Sequence, residues 1–328
     1  MALLYTFSSK IGRCDTVPAC ITVVNNMKPS KSLKVKEKSS GMRIDVFLSQ
    51  ELKISRAQVQ KYIKSGFIFV DGELAKSSSR TSKGQKIEIT IKPENNSDKK
   101  LPELNIIYED DDVLVLNKQS GVVVHGASGV HEPTLADSVV AKYPKIARVG
   151  ENKMRPGVVH RLDRGASGVI VFAKNKKAFL HLKDQFQSRT AKKIYIVLVH
   201  GQMPKNFGTL RVNIARSERT GKMVSRPMSQ EGKEAITNYS VTKNYRNYSL
   251  LEVHIETGRT HQIRTTMQAS GHPIAGDTLY MNRKLKQAEI NRPFLHASFL
   301  TITLPSGEVK TFSAELPVEL KKYLETLT

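Results

Sequence analysis

Two stretches of the chain hold side chains that could break and make bonds together. In RPGVVHRLDRGASGVIVFAKN, residues 155–175, a strand-like VVH leads through Arg161 and Leu162 to Asp163. Gly165, Ser167 and Gly168 then carry the chain into an apolar strand. A tight loop between two buried elements aims its side chains into a cleft. In ETGRTHQIRTTMQASGHPIAGDTLY, residues 256–280, Gly258 permits an unusual backbone angle and Thr260 can cap a helix. Arg264, four residues on, shares the face of Thr260. A buried arginine there needs a carboxylate, and Asp163 is a candidate. Such a pair would hold Asp163 ionised with a lowered pKa, the state that a nucleophile or general base needs at neutral pH. On residue types alone, Asp163 also reads as a turn cap, Arg161 as a surface cation and His160 as a packed ring. An Asp163 pair with Arg264 also reads as a fastener between two segments. Hydrolysis of a glycosidic bond would need a second carboxylate across from Asp163, and no clear one stands in these motifs.

The elements that must position these residues are legible from about Glu103 onward. Strand-like runs are DVLVLN, GVIVFA, KIYIVLV, TLRVNI, AITNYSV, SLLEVHI and SFLTITL. A helix over 176–187 presents Phe179, Leu182 and Phe186 inward, and another opens near Thr260 and closes at Gly271. Strands outnumber helices and many have hairpin spacing, so the class is α+β with a largely antiparallel sheet flanked by helices. Tyr195 lies in KIYIVLV, where the bare reading is a half-buried strand residue.

Upstream, residues 42–92 read as a small α/β domain. Ile44, Phe47 and Leu48 share one helical face. Ser55 suits the N-cap of a second helix with Val59, Tyr62 and Ile63 inward, Arg56, Lys61 and Lys64 outward, and Gly66 as its stop. FIFVDG and KIEITI follow as strands. Residues 93–102 have the Pro, Asn and charge content of a linker. Residues 1–41 read as a basic flexible arm in which nothing looks catalytic. A basic, serine-bearing, acid-poor leader also fits an organelle transit peptide, and Met27 and Met42 are alternative starts.

The 328 residues are 39% hydrophobic and 25% charged, enough for one sizeable core and a smaller second domain. The longest strongly apolar stretches, such as IYIVLV at 194–199, are far short of the roughly 18 to 20 residues that span a bilayer. A soluble, cytoplasmic protein is expected. Fifty-two Lys and Arg against 30 Asp and Glu give a net charge of +22, a field that favours polyanions such as nucleic acid or an anionic membrane surface. Cys14 and Cys20 are the two cysteines and have no finger-like partners, so a reduced compartment and no structural metal are the default.

Two resemblances sharpen this reading. Arg43-Ile44-Asp45, Ser55-Arg56 through Gly66, and Val70-Asp71-Gly72 resemble, in order, the segments of the alpha-L RNA-binding motif shared with a ribosomal small-subunit protein. The resemblance implies RNA binding through Arg43, Arg56, Lys61 and Lys64. HRLDRGASG is similar to the HRLD-x-x-T/S-S-G motif of pseudouridine synthases, KKIYIVLVHG to their K-x-Y-x-x-x-V-x-G strand, and TGRTHQIR to their third motif. With DVLVLNKQSGVVVH before and RPFLHA after, the likeness covers almost all of 105–304 and resembles the RluA/RluD type, which acts on large-subunit ribosomal RNA.

That resemblance implies a pseudouridine synthase fold over 103–328, an RNA isomerase without cofactor, and a ribosomal RNA or pre-ribosomal particle as partner. It implies Asp163 as the acid acting on ribose, Tyr195 against the uracil, and Arg264 paired with the aspartate. Arg161 takes the arginine position that enters the RNA stack, His160 beside it is expected to contact RNA as well, and Ile263 and Leu295 wall the base pocket. RSERTGKMVSR at 216–226 resembles the family's basic loop and is expected to clamp RNA; its bare reading is a solvated hairpin. Gly165, Ala166 and Thr266 depart from the family pattern, which bears on rate or substrate preference. An alternative from another class is an RNA-binding assembly factor that has lost its activity; a glycosidase releasing uracil is the third.

Overall fold

The computed structural model describes residues 31–52, 54, 56–90, 100–126, 132–281, 285–286 and 288–328. The chain divides into two units between Ser97 and Asp98. In the first, helical spacing puts Ile44, Phe47 and Leu48 on the buried face of helix α1 (Ile44–Leu52), and Val59 and Ile63 on that of α2 (Arg56–Lys64). Gly66, one residue past Ser65 at the end of α2, takes φ +74°, a left-handed stop that a side chain would strain. The helices close over an antiparallel sheet of β1 (Lys31–Lys34), β2 (Ile68–Val70), β3 (Glu73–Leu74) and β4 (Lys86–Ile89), in the order β1-β4-β2-β3.

The expected flexible arm is therefore corrected at its C-terminal end. Lys31–Lys34 pairs with Ile89–Lys86, and Val35 is buried among the core residues. A four-residue strand whose partner lies some fifty residues away leaves no local period to read. Residues 1–30 of the arm, the Ser55 cap and most of the 93–102 linker lie outside the described residues.

Asp45, fully buried, fastens this unit. Its carboxylate accepts hydrogen bonds from Arg43 Nε (3.1 Å), Arg56 Nη2 (3.0 Å) and Gln60 Nε2 (2.8 Å). The Arg43 bond, more than the opposing burial, holds its carboxyl well below the usual carboxylate range. A depressed carboxyl pKa stabilises the fold above the unfolded value, near 4, and that contribution is lost as pH falls through the folded value. Asp45→Asn is expected to cost about 1 to 2 kcal/mol, limited by the exposure of both arginines. Urea melts of the variant at neutral and acid pH should show a smaller acid sensitivity than those of the parent.

The second unit carries a ten-stranded sheet. Its strands are β5 (Ile106–Glu109), β6 (Val113–Lys118), β7 (Ser167–Ala173), β8 (Lys192–His200), β9 (Phe207–Arg216), β10 (Met223–Arg226), β11 (Lys233–Tyr245), β12 (Tyr248–Ile255), β13 (Leu295–Thr303) and β14 (Val309–Ser313). The order is β10-β9-β11-β12-β8-β13-β7-β6-β5, with β14 on β13. Every pairing is antiparallel except β13 with β7. The α+β class and the largely antiparallel mixed sheet are as expected. β7 is buried along all seven residues, which explains its unbroken apolar run.

Helix α4 (Lys176–Gln187) has the expected bounds because Asn175 caps it, accepting the Ala178 N–H at 2.9 Å. Three further helices are α3 (Leu135–Lys142), started by a Thr134/Asp137 capping box, α5 (Gln262–Ala269) and α6 (Val318–Glu325). VVH is not a strand: Val158 makes a single bridge to Phe172. The basic segment 216–226 is the hairpin that joins β9 to β10, with Met223 paired to Arg216.

Candidate active site

Backbone clamps fix the Asp163 loop at both ends. The Ala166 N–H donates to Asp163 O (3.1 Å), and Arg164 O accepts the Gly121 N–H (2.8 Å). Gly165 O accepts from Ser120 Oγ at 2.9 Å. Buried Lys118, at the end of β6, donates to Arg164 O (3.3 Å), Gln119 O (2.9 Å) and Val122 O (2.8 Å). Where the loop enters β7, Gly168 has φ +113°, and a Cβ there would lie 2.1 Å from Ala297 O on the parallel neighbour β13. Only glycine allows that approach. Ser167 Oγ accepts from Arg292 Nη2 (2.7 Å) and sits 2.9 Å from His296 Nδ1.

Lys118 and Ser120 were not singled out in the sequence. A lysine closing an apolar strand is the signal that could have found the first. Burial, with the field of Arg292, pushes the Lys118 ammonium down to about 7, while three carbonyls take up its three protons. Lys118→Met orphans those carbonyls beside Asp163. It is expected to cost about 1 to 3 kcal/mol and to lower kcat about tenfold with KM nearly unchanged, since the loop is loosened and no RNA contact is lost. Thermal melts and steady-state kinetics on one preparation check both.

Arg264 Nη1 does reach Asp163 Oδ2, at 3.3 Å, but Asp163 is not its chief partner. Arg264 Nε and Nη2 form a bidentate pair with Asp277 at 2.6 and 2.9 Å, and both residues are buried. Asp277 Oδ1 also accepts the N–H groups of Leu279 and Tyr280, and the guanidinium lies 4.9 Å over the Tyr280 ring. Burial opposes the charge on Arg264, and the bonds and field of Asp277 and then Asp163 overcome it, so its pKa is raised. Asp277 lies within the second stretch, yet nothing in the spacing distinguishes it from a turn aspartate.

The entry to α5 differs from expectation. His261, not Thr260, is the N-cap residue and takes the left-handed φ of +56°, whereas Gly258 has no positive φ. Gln262 replaces a side-chain cap. It accepts from Thr257 Oγ1 (2.7 Å) and the Arg259 N–H (3.1 Å), and donates to Ile236 O (3.0 Å). The strained backbone turns His261 toward the acid, with Nε2 3.9 Å from Asp163 Oδ1 and Nδ1 2.7 Å from the Tyr280 hydroxyl. Burial lowers its pKa below the ordinary histidine value.

Asp163 and His261 face a cavity of about 510 Å³, large enough for a nucleoside, also walled by Tyr195, Ile263, Leu295, His160 and Arg161. The residues expected for catalysis and for the pocket are therefore brought together. Tyr195 is buried on β8, and burial, with the Asp163 charge, pushes its hydroxyl far above the ordinary tyrosine value, so it stands as a neutral phenol. Arg161 is exposed at the wall.

His160 stands on the wall as a packed ring. Its Nε2 accepts the Val171 N–H at 3.0 Å, its face stacks on Phe186 at 4.4 Å, and burial and Lys193 push its pKa down to about 3. Glu256 also lines the cavity; it is exposed and accepts from Asn238 Nδ2 at 3.0 Å. The residues expected to bind RNA through the alpha-L motif lie in the first unit. Lys61 and Lys64 are exposed on α2, while Arg43 and Arg56 keep 44% and 53% of their side chains exposed although both hold Asp45.

A carboxylate with a fixed guanidinium beside it, next to the apolar surfaces of Tyr195, Ile263 and Leu295 in a cavity whose wall also carries cations, can attack a carbon or take a proton. Comparison with known proteins specifies the chemistry. Residues 112–269 match the RNA pseudouridylate synthase family model, and residues 42–87 match that of the S4 domain. A Bacillus subtilis protein named uncharacterized RNA pseudouridine synthase YlyB is 36% identical over 296 residues, spanning 89% of this chain and 96% of the relative. Ribosomal large subunit pseudouridine synthase D of Neisseria meningitidis serogroup A is 35% identical over 302 residues, spanning 88% of this chain and 79% of that one. The solved human RNA pseudouridylate synthase domain containing 1 superposes with a TM-score of 0.54 at 25% identity, covering 69% of this chain and 87% of that one. Fold and slot are thus those of an RNA-modifying isomerase. The chain belongs to the RNA pseudouridine synthase family, with an S4 domain ahead of the synthase domain.

Proposed function

We propose that the protein converts specific uridines of large-subunit ribosomal RNA to pseudouridine in the cytoplasm, free or in a pre-ribosomal particle, with Asp163 acting on the ribose. The single observation that carries this is the Asp163 carboxylate on the wall of a nucleoside-sized cavity, 3.3 Å from Arg264, with Tyr195 and Leu295 on the same wall. Asp163 attacks C1′ or removes the C2′ proton, and either route breaks the glycosidic bond. Uracil leaves through nitrogen and returns through C5, the C5 proton is lost and N1 gains one, so uracil is both leaving group and nucleophile and no water is consumed. The freed base must be kept from escaping, which suits walls of Tyr195, Ile263 and Leu295. Tyr195, a neutral phenol, packs on the uracil. Arg264, fixed by Asp277, keeps one nitrogen on Asp163.

Reaching this slot requires the nucleotide to leave its helix, at a cost of a few kcal/mol. Arg161 at the wall, the 216–226 hairpin, and Arg43, Arg56, Lys61 and Lys64 in the S4 domain offset that cost through phosphate contacts. Residues 103–328 then form the catalytic domain and the preceding unit an RNA anchor. An assembly factor without activity would have no need of the Arg264–Asp277 pair that fixes the acid, and a uracil-releasing glycosidase would need a firmly placed second carboxylate. The test is to map pseudouridines by carbodiimide reaction in ribosomal RNA from cells with and without the gene. Sites in large-subunit RNA should disappear with the gene and return with the parent chain only.

A further inference from the structure

Lys193 stands two residues before Tyr195 on β8, so both side chains leave the same face of the strand and both line the cavity. It is only 9% exposed. Among the described residues its ammonium makes no hydrogen bond and no ion pair; its aromatic neighbour is Phe186, with Nζ 5.8 Å from the ring centroid. Nor is Nζ among the described polar atoms sealed from solvent without a partner, which are His200 Nε2, Ser225 Oγ and Thr266 Oγ1. The ammonium is therefore open to solvent, on a side chain that lines the cavity.

The one charge that bears on it is cationic. Burial, and then the charge of Arg189, lower the Lys193 pKa, and no carboxylate acts to raise it. Arg189 lines the same cavity from the turn after α4 and holds a left-handed φ of +64°, a strained angle for a residue with a side chain. Arg155 and Arg161 also lie on the wall. Asp163 is engaged by Arg264. A buried ammonium without a counter-charge destabilises the free protein, and two neighbouring cations repel. An anion bound between them removes both penalties.

We propose that Lys193 and Arg189 seat a backbone phosphate of the RNA beside the extruded uridine. The assignment rests on the reading that an RNA nucleotide enters this cavity. A phosphate fixed there sets the depth of the ribose relative to Asp163, so the same contact that binds the strand also registers C1′. Arg189, at the exposed mouth, meets the strand first, and Lys193 receives the charge where water is scarce.

The contact is read by binding the full chain to a transcribed large-subunit ribosomal RNA over a range of KCl concentrations. Lys193→Met should weaken binding about tenfold and reduce the slope of log K against log salt by about 0.7 to 0.9, one counterion. Lys193→Arg should restore both. Without RNA, Lys193→Met should melt at or above the parent temperature, because an unpaired buried charge has become an apolar chain of similar shape. An unchanged salt slope in the Met variant overturns the proposal, as does a lower melting temperature or an Arg variant that behaves like Met. Binding is measured apart from pseudouridine formation. A parent chain that binds with the expected slopes yet modifies no uridine would contradict the proposed reaction and leave this contact standing. A parent that does not bind RNA would overturn both.

Discussion

Asp163→Asn is expected to reduce pseudouridine formation by about a thousandfold or more while leaving the fold and RNA binding intact. The substitution keeps the shape of a side chain that is only partly exposed and leaves the loop clamps at Lys118, Ser120 and Gly121 untouched. It removes the negative charge that either route requires, attack on C1′ or removal of the C2′ proton. Melting temperature and the salt dependence of RNA binding should match the parent. A rate within about tenfold of the parent would mean that another group does the chemistry, since general-base contributions alone amount to about a hundredfold or more.

Asp277→Ala is expected to be the most destabilising single change at the site, by about 3 kcal/mol or more, because it strands a buried guanidinium. Arg264 would lose its bidentate partner and the turn would lose the acceptor for the Leu279 and Tyr280 N–H groups. Released from Asp277, Arg264 can swing onto Asp163 and cover the oxygen that must act. Activity should fall about a hundredfold, chiefly in kcat, as expected for a misplaced reacting group. Adding Asp277→Ala to Asp163→Asn should lower activity no further, since both act through one carboxylate, whereas the loss of stability should persist. Denaturant titration beside single-turnover kinetics separates the two effects.

The sheet and the acid were legible because their signals are local. Apolar runs such as GVIVFA and KIYIVLV are buried strands, and Asn175 marks the start of α4 unambiguously. The pocket set of Asp163, Tyr195, Ile263 and Leu295 came from resemblance to family motifs, and the cavity brings them together. What escaped depends on contacts between distant parts of the chain. Asp277 is defined by two bonds to Arg264, and Lys118 by a carbonyl 46 residues away. β1 becomes a strand only through β4. The Arg264–Asp163 pair shows the same limit from the other side. Its existence could be anticipated from the need of a buried arginine for an acid, but its rank below Asp277 could not, because both carboxylates satisfy that need equally well in sequence. For His160 the packed-ring reading agrees with the structure, where its face stacks on Phe186 and its Nε2 accepts the Val171 N–H.

The central claim is that Asp163, in this slot, moves uracil from a nitrogen to a carbon linkage without releasing it. The most direct measurement incubates purified protein with transcribed large-subunit ribosomal RNA and quantifies pseudouridine, uridine and free uracil by mass spectrometry after digestion. The parent chain should convert discrete uridines stoichiometrically with no free uracil, and Asp163→Asn should leave the RNA unchanged. Free uracil in amounts matching the lost uridine, or equal conversion by the Asn variant, would contradict the account.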